Sequence, residues 1–298
     1  MRHEAPALSV ADDPDAQGPL PLLAAVDYAR TVMGWSRGPL PDDIDVVLDQ
    51  PYGEHRLQRF DLFAPRGATS APVLVFWHGG GWTNGYRQWV RFMAPHIVGA
   101  GAILVAPSYR LAPRDPFPAA IDDALAVFAH LLQQRGRWGG ASGRFVLSGH
   151  SAGGHLAAMV ALRHASASVR GAEHANVLAC MPISGIMDLH AAHPATGSLE
   201  ERVYTQVLRG QGDELDVVMS PLYWTAGHRI PFDLSVGEHD SARVLRSNRR
   251  LHAMLQAQSV SASLHAQVGR DHFQTHLDLN DGQHPWYRRL ATWLHSTR

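Results

Sequence analysis

A serine between two glycines, Ser151, is the residue of this sequence best suited to nucleophilic chemistry. It stands in the stretch Gly149-His150-Ser151-Ala152-Gly153, between a short apolar run and a segment of helical pattern. The flanking glycines permit a strained turn that lifts the hydroxyl clear of the backbone, and the amides of the following helix stabilise negative charge. A turn that serves packing alone is the structural alternative. The pattern predicts Ser151 as a nucleophile and the Ala152 amide as an oxyanion donor.

A second glycine-rich stretch, at 78–82, lies well before the serine and reads His-Gly-Gly-Gly-Trp. Three successive glycines cost backbone entropy on folding, so a purely structural explanation is a flexible loop. The functional explanation is an oxyanion loop, in which the missing side chains let amide groups approach a tetrahedral intermediate. We predict Gly80 and Gly81 as the donors, although the sequence alone does not fix the register of the loop.

The acid and the base that would activate such a serine are expected after it, the acid first. Glu238 and Asp240 follow one apolar strand-like run, and His272 follows the next. We predict Asp240 as the acid, because it lies further into its loop and reaches further toward an imidazole. Glu238 is the rival acid, and His272 is the predicted base.

These residues together predict acyl transfer through a covalent intermediate. His272 takes the proton of Ser151 as the serine attacks a carbonyl carbon, and Asp240 orients the imidazole. Water then hydrolyses the acyl-enzyme, so no cofactor is required. No metal site is predicted, since no His-Glu-x-x-His motif occurs and His150 and His155 do not share a helix face in the manner of paired ligands.

The elements that must position these residues alternate between strands and helices. This alternation predicts an α/β fold in which helices flank a mostly parallel sheet. The predicted strands are 58–65, 71–77, 102–109, 144–149, 176–185, 231–240 and 261–269. The predicted helices are 21–33, 87–101, 118–136, 152–165, 243–258 and 285–297.

The domain organisation predicted from the sequence is a single hydrolase domain with two additions. Residues 51–298 form that domain, because no repeat and no Gly/Ser linker divides them. Residues 1–50 are predicted to be an N-terminal extension or cap segment. The long irregular stretch at about 187–224 is predicted to be an insertion that acts as a lid or cap over one end of the sheet.

The composition limits the classes of partner. The chain has 298 residues, 45% of them hydrophobic and 18% charged, and its net charge is −1. Without long runs of Lys or Arg we expect neither nucleic acid nor an anionic membrane as a partner. Acidic residues occupy the N-terminus where a signal peptide needs an apolar region, which predicts a cytoplasmic protein. The single cysteine, Cys180, excludes an internal disulfide and is expected to be buried. A homodimer is left open.

Several motifs, in order, resemble those of the α/β-hydrolase superfamily over about residues 58–295. The His-Gly-Gly-Gly loop and the segment 109–126 resemble hormone-sensitive-lipase-like esterases. The stretches GHSAGGHLAAM, PISGIMDL, VGEHDS and RDHFQ resemble arylformamidase, that is, kynurenine formamidase. The resemblance implies an α/β-hydrolase fold and places the acid at Asp240 and the base at His272. An arylformamidase loop carries an aromatic residue where this chain has Gly81, which favours the general carboxylesterase.

The expected substrate is a small molecule with an ester or small amide bond, and aromatic residues near the motifs favour an aromatic compound. Trp82, Tyr86, His150 and Trp224 are the predicted substrate-binding residues. Arg87 and Arg91 are expected on the solvated surface, with contact to a substrate carboxylate as the alternative. The alternatives are an arylformamidase that hydrolyses N-formylkynurenine or a related N-formyl arylamine, an acyltransferase, and a ligand receptor without catalysis.

Overall fold

The computed structural model describes residues 17–140, 142–164, 176–209 and 212–296, and one eight-stranded sheet organises them. The strands are β1 Ile44–Pro51, β2 Arg59–Pro65, β3 Val73–Trp77, β4 Ile103–Pro107, β5 Arg144–His150, β6 Asn176–Ile183, β7 Phe232–Gly237 and β8 Ala262–Gln267. Their order is β1-β2-β4-β3-β5-β6-β7-β8. The strands β3 to β8 pair in parallel, whereas β2 is antiparallel to both β1 and β4. The prediction of a mostly parallel sheet is therefore confirmed.

Helices cover both faces of the sheet, as parallel strands require. They are α1 Leu23–Ser36, α2 Ala94–Gly99, α3 Ala119–Gln133, α4 Ala152–Arg163, α5 Leu199–Arg202, α6 Gly212–Val218, α7 Ala242–Ala257, α8 Gln274–Leu277 and α9 Pro285–Leu294. In β3, Val75 and Trp77 join a core with α3, α4 and α7, while Leu74 and Phe76 join a second core with α1, α2 and α9. The nearly continuous apolar sequence of β3 follows from this burial on both faces.

Two elements differ from the sequence-based prediction. The strand β1 was missed: it is an edge strand whose side chains are mostly exposed or half-buried, and its apolar run at 46–48 is short and lies between two aspartates. The predicted helix 87–101 is a 3₁₀ segment, Arg87–Met93, followed by the short helix α2. Pro95 lies in the first turn of α2, where a residue without an N–H is tolerated. An α-helix that continued through this position would need an N–H at residue 95 to bond the carbonyl of residue 91, and proline has none.

The predicted domain boundary between residues 50 and 51 falls within β1, which pairs with β2 along most of its length. Residues from Ile44 onward are thus part of the sheet, and residues 1–16 lie outside the described ranges. In the segment 187–224, α5 is followed by one π-helical turn, Val203–Val207, then α6 and a 3₁₀ turn, Pro221–Trp224. That these two regions act as a cap and a lid stays a prediction.

Other features of the described ranges bear on the earlier expectations. Cys180 is buried in β6, as predicted. No helix there combines the length and apolar character that crossing a membrane requires. The same residues contain no group of histidine, cysteine and carboxylate side chains arranged to hold a metal ion.

Candidate active site

The nucleophile turn connects β5 directly to α4. Ser151 has φ 55° and ψ −118°, a conformation that side-chain-bearing residues rarely adopt. The turn requires its glycines: a Cβ on Gly149 would lie 2.4 Å from the Gly153 backbone, and one on Gly153 would lie 2.0 Å from the Trp77 carbonyl oxygen. The Ser151 amide donates to the Ile183 carbonyl oxygen at 2.8 Å. The close backbone contacts and the hydrogen bond to Ile183 thus hold Ser151 in a strained conformation, which places its hydroxyl above the sheet.

A hydrogen-bonded chain joins the three residues that the sequence singled out. His272 Nε2 lies 2.8 Å from Ser151 Oγ, and His272 Nδ1 lies 2.7 Å from Asp240 Oδ1. Because a carboxylate only accepts hydrogen bonds, Nδ1 carries the imidazole proton and Nε2 is left to accept from the serine hydroxyl. The order of atoms is that of a nucleophile, a base and an orienting acid.

Asp240 lies just beyond β7 and is surrounded by hydrogen-bond donors. Its Oδ2 accepts hydrogen bonds from Ser184 Oγ at 2.6 Å and from the Gly237 amide at 2.8 Å. Burial raises the pKa of the Asp240 carboxyl, but the hydrogen bonds and the charge of His272 outweigh burial and hold it below its usual value. The rival acid, Glu238, is exposed, and its Oε2 accepts from the Gly269 amide at 2.7 Å.

The glycine loop lies beside the serine. Gly80 has φ 117° and Gly81 has φ 62°, and both line the same cavity as Ser151. A Cβ on Gly80 would lie 2.1 Å from the Asn84 carbonyl oxygen, so this position requires glycine. Within the described ranges no residue accepts a hydrogen bond from the amides of Gly80, Gly81 or Ala152. These amides are available to an external acceptor.

His150, the last residue of β5, is buried beneath the base. Its Nε2 lies 2.8 Å from the His272 carbonyl oxygen and must donate to it, because a carbonyl has no proton to give. Burial, together with the nearby His272 and His276, lowers the pKa of His150 well below 6.5. The ring stacks on His276, with centroids 5.1 Å apart. His150 borders the cavity, but its donor is committed to the backbone of the base.

The cavity above Ser151 and His272 has a volume of about 360 Å³ and mainly apolar walls. Its size is that of a small-molecule site. One wall comes from α1 and the residues before it, and another from α5 and the π-helical turn. The apolar and aromatic lining residues are Leu20, Pro21, Leu22, Ala25, Tyr28, Trp82, Trp89, Ile186, Leu199, Val203, Val207, Val244 and Phe273.

Two of the predicted substrate-binding residues do not reach this cavity. Tyr86 borders a separate hollow of about 80 Å³. Trp224 donates to the Val218 carbonyl oxygen at 2.8 Å and lies under the Arg163 guanidinium, at the opposite end of α4 from the nucleophile. The sequence shows that a tryptophan ends the insertion, but not that the insertion folds back along α4. Trp82 does lie in the cavity wall.

Residues that sequence reasoning missed complete the walls. Tyr28 borders the cavity from α1, and no motif marks it, whereas Trp89 is one of the aromatic residues that follow the glycine loop in the sequence. Arg87, expected on the solvated surface, is 3% exposed and forms ion pairs with Asp61 and Asp49, each at 2.9 Å. A buried ion pair between distant segments leaves no local signal in the sequence.

A nucleophile turn at the carboxyl edge of a parallel sheet, with an oxyanion loop one strand away, defines the hydrolase type of α/β fold. The chain belongs to a family of the alpha/beta hydrolase fold, whose sequence profile matches residues 74–275.

Curated relatives match shorter segments. The carboxylesterase NlhH of Mycobacterium tuberculosis is 43% identical over 91 residues, 30% of this chain and 28% of that protein. The kynurenine formamidase of Danio rerio is 32% identical over 115 residues, 38% of each chain. The chain thus spans about a third of the length of the curated relatives that it matches.

Solved structures share the fold over nearly the whole chain. The thermophilic carboxylesterase EstE1 from a metagenomic library superposes with a TM-score of 0.73 at 19% identity. The superposition covers 97% of this chain and 100% of that one. At this identity the likeness establishes the fold and not the substrate.

Proposed function

We propose that this protein is a serine hydrolase that cleaves a carboxylic ester or a small amide. The observation that carries the proposal is the continuous chain from Ser151 Oγ through His272 to Asp240, which opens into a mainly apolar cavity. Each atom in that chain has the hydrogen-bonding role that nucleophilic acyl transfer needs.

The reaction then follows from the geometry. The Ser151 oxygen attacks the substrate carbonyl carbon while His272 Nε2 takes the serine proton, and the oxyanion is stabilised by the amides of Gly80, Gly81 and Ala152. The protonated His272 passes its proton to the departing alcohol or amine, which leaves the acyl group on Ser151. Water, activated by the same imidazole, attacks the acyl-enzyme and releases the acid. Asp240 stabilises the imidazolium in both halves.

The walls of the cavity favour an aromatic or other apolar group on the substrate. Tyr28, Trp82, Trp89 and Phe273 present rings or ring edges to the space beside the nucleophile. Aromatic side chains bind planar apolar groups through offset-stacked and edge-to-face contacts. The carboxylesterases among the relatives support an ester as the reacting group.

A second candidate is the hydrolysis of an N-formyl arylamine. The matching segments of two fish kynurenine formamidases, from Danio rerio and Salmo salar, favour it. The two reactions share the acyl-enzyme chemistry and differ in the leaving group, which is an amine in the formamide. The choice between them is therefore one of specificity within a single site.

The experiment that tests both is a comparison of kcat/KM on p-nitrophenyl acetate, p-nitrophenyl butyrate and N-formylkynurenine, for wild type and Ser151→Ala. We expect turnover of the esters by wild type and its loss in the variant. A strong preference for N-formylkynurenine would instead identify an arylformamidase. Ester hydrolysis that persists unchanged in Ser151→Ala would overturn the proposed mechanism.

A further inference from the structure

The catalytic cavity contains three charged side chains amid its apolar walls. They are Glu200 and Arg202 on α5 and Arg243 on α7. Arg202 reaches Gln206 Oε1 at 3.5 Å. A charged group in such surroundings costs free energy unless a partner compensates for it. The partners of each charge therefore indicate whether the charge is structural.

The Arg243 guanidinium is held mainly by uncharged groups. Its Nε donates to the Asp188 carbonyl oxygen at 3.3 Å, and its Nη2 donates to the Leu189 carbonyl oxygen at 2.6 Å. The carboxylate nearest to Nη1 is that of Glu200, at 3.8 Å, which is too long for a hydrogen bond. Within the described ranges no hydrogen bond engages Nη1. Two backbone carbonyls thus fix the orientation of the guanidinium and leave its charge only partly compensated.

The burial of this cation makes its incomplete pairing significant. The Arg243 side chain is only 10% exposed. Burial lowers the pKa of the guanidinium and Glu200 opposes the shift, yet an arginine stays charged at physiological pH. A fixed guanidinium with free N–H donors is the group that proteins use to bind a carboxylate through two parallel hydrogen bonds.

The space behind Arg243 gives an anionic group room. A second cavity of about 360 Å³ adjoins the first, and both Arg243 and Glu200 border the two. Arg246 and Arg250, one and two turns further along α7, also line it. Arg250 is paired with Asp188, and Arg246 borders only the second cavity, so Arg243 is the one of these three arginines that also lines the cavity of Ser151.

We propose that Arg243 binds a carboxylate at the end of the substrate remote from the scissile carbonyl, so that the preferred substrates are anionic esters or amides. The inference rests on the proposed function, because it assigns the substrate class of the same site. The apolar walls then hold the middle of the substrate, and Ser151 attacks the opposite end.

The kinetic test compares two esters that differ in one charge, mono-4-nitrophenyl adipate and its neutral methyl ester. We expect wild type to prefer the anionic ester in kcat/KM. Arg243→Gln should lower kcat/KM for the anionic ester by roughly 10- to 100-fold, mainly through KM, as the loss of a charged hydrogen bond implies. Turnover of the neutral ester should fall by a smaller factor, and the circular dichroism spectrum reports that the variant is folded.

Two further variants are matched controls. Arg246→Gln removes a positive charge from the same helix at a position that borders only the second cavity, and it should have little effect on the preference. Arg243→Lys keeps the charge but loses the planar pair of donors, so it should retain only part of the preference for the anionic ester. An equal effect of Arg243→Gln on both esters would overturn the proposal, as would the absence of any preference in wild type.

A binding experiment separates this proposal from the proposed function. Calorimetry on Ser151→Ala protein measures the affinity of 4-benzoylbutyrate, an aromatic carboxylate that cannot be hydrolysed, and of its methyl ester. We expect tighter binding of the carboxylate and loss of that difference in the Ser151→Ala, Arg243→Gln double variant. If wild type hydrolyses neither the esters nor N-formylkynurenine but the binding difference stands, the proposed function fails and the anion site remains. If esters turn over without a binding difference, the anion site fails alone.

Discussion

The two sides of the catalytic cavity are built from different interactions. On the sheet side, hydrogen bonds of 2.6–2.8 Å link Ser151, His272, Asp240 and Ser184. On the outer side, α1 and α5 contribute apolar side chains, and Leu199 there is 50% exposed. Hydrogen bonds are directional and costly to leave unmade, whereas apolar contacts have no preferred direction. The chemistry thus depends on individual atoms, and the choice of substrate depends on a surface that tolerates change.

The largest effect expected within this comparison concerns the two neighbouring acids. Asp240→Asn should lower kcat by about 10³- to 10⁴-fold, because an amide favours the wrong imidazole tautomer. Glu238→Gln is the matched control and should leave kcat within about 2-fold, since that carboxylate bonds only a loop amide. Steady-state kinetics on a p-nitrophenyl ester measures both. The opposite pattern would move the acid to Glu238.

A smaller effect is expected at His150, which supports the base without reaching the substrate carbonyl. His150→Leu leaves the His272 carbonyl oxygen without its donor and should lower kcat by about 10-fold, with KM little changed. His150→Gln offers a replacement N–H and should recover part of the loss. If both variants lowered kcat alike, packing beneath the base would matter and the hydrogen bond would not.

The sheet side of the cavity should also contain a group that makes the folded protein less stable as the pH falls. Burial lowers the pKa of His276 to about 3, so between pH 6.5 and 3 the unfolded chain binds a proton there that the folded chain does not. Stability must therefore fall as the pH falls, by about 1.4 kcal/mol per pH unit for one such group. Urea unfolding at pH 6.5, 6.0, 5.5 and 5.0 should show a shallower decline for His276→Phe than for wild type. If the free energy of unfolding fell with pH equally steeply in both proteins, His276 would be excluded as a source of the loss of stability.

The smallest kinetic effect is expected from a substitution on the outer side of the cavity. Leu199→Ala removes part of a half-exposed apolar contact and should raise KM for an aromatic ester by about 2- to 5-fold, with kcat unchanged. Val218→Ala, at an equally exposed position on α6 outside the cavity lining, is the control and should change neither constant. A large fall in kcat for Leu199→Ala would mean that the two sides of the cavity are not independent.

The difference between the hydrogen-bonded sheet side and the apolar outer side of the cavity also explains what could be predicted from the sequence. The turn at Ser151 and the glycine loop are local patterns, because backbone atoms lie too close to positions 149, 153 and 80 for any residue with a Cβ. The sheet follows from apolar runs that recur between helices. Asp240 could be chosen over Glu238 from its distance beyond the strand alone.

The outer wall could not be predicted, because its residues come together through long-range packing. Nothing local marks Tyr28 or Arg243 as cavity residues, and nothing local excludes Trp224, whose position depends on how residues 187–224 fold back. The edge strand β1 was missed for a related reason: most of its side chains are exposed or half-buried, and its apolar run at 46–48 is short.

The contact between Tyr28 and His276 has a consequence for the order in which the protein is made. The hydroxyl lies 2.8 Å from His276 Nδ1, across 248 residues of sequence. Translation makes α1 long before His276, so Tyr28 can pack on Trp89 early, with ring centroids 5.4 Å apart, but can bond His276 only after the whole sheet has been made. The proposed hydrolysis needs His272, so we expect no activity from a chain that stops before that residue, even where α1 is already packed on Trp89.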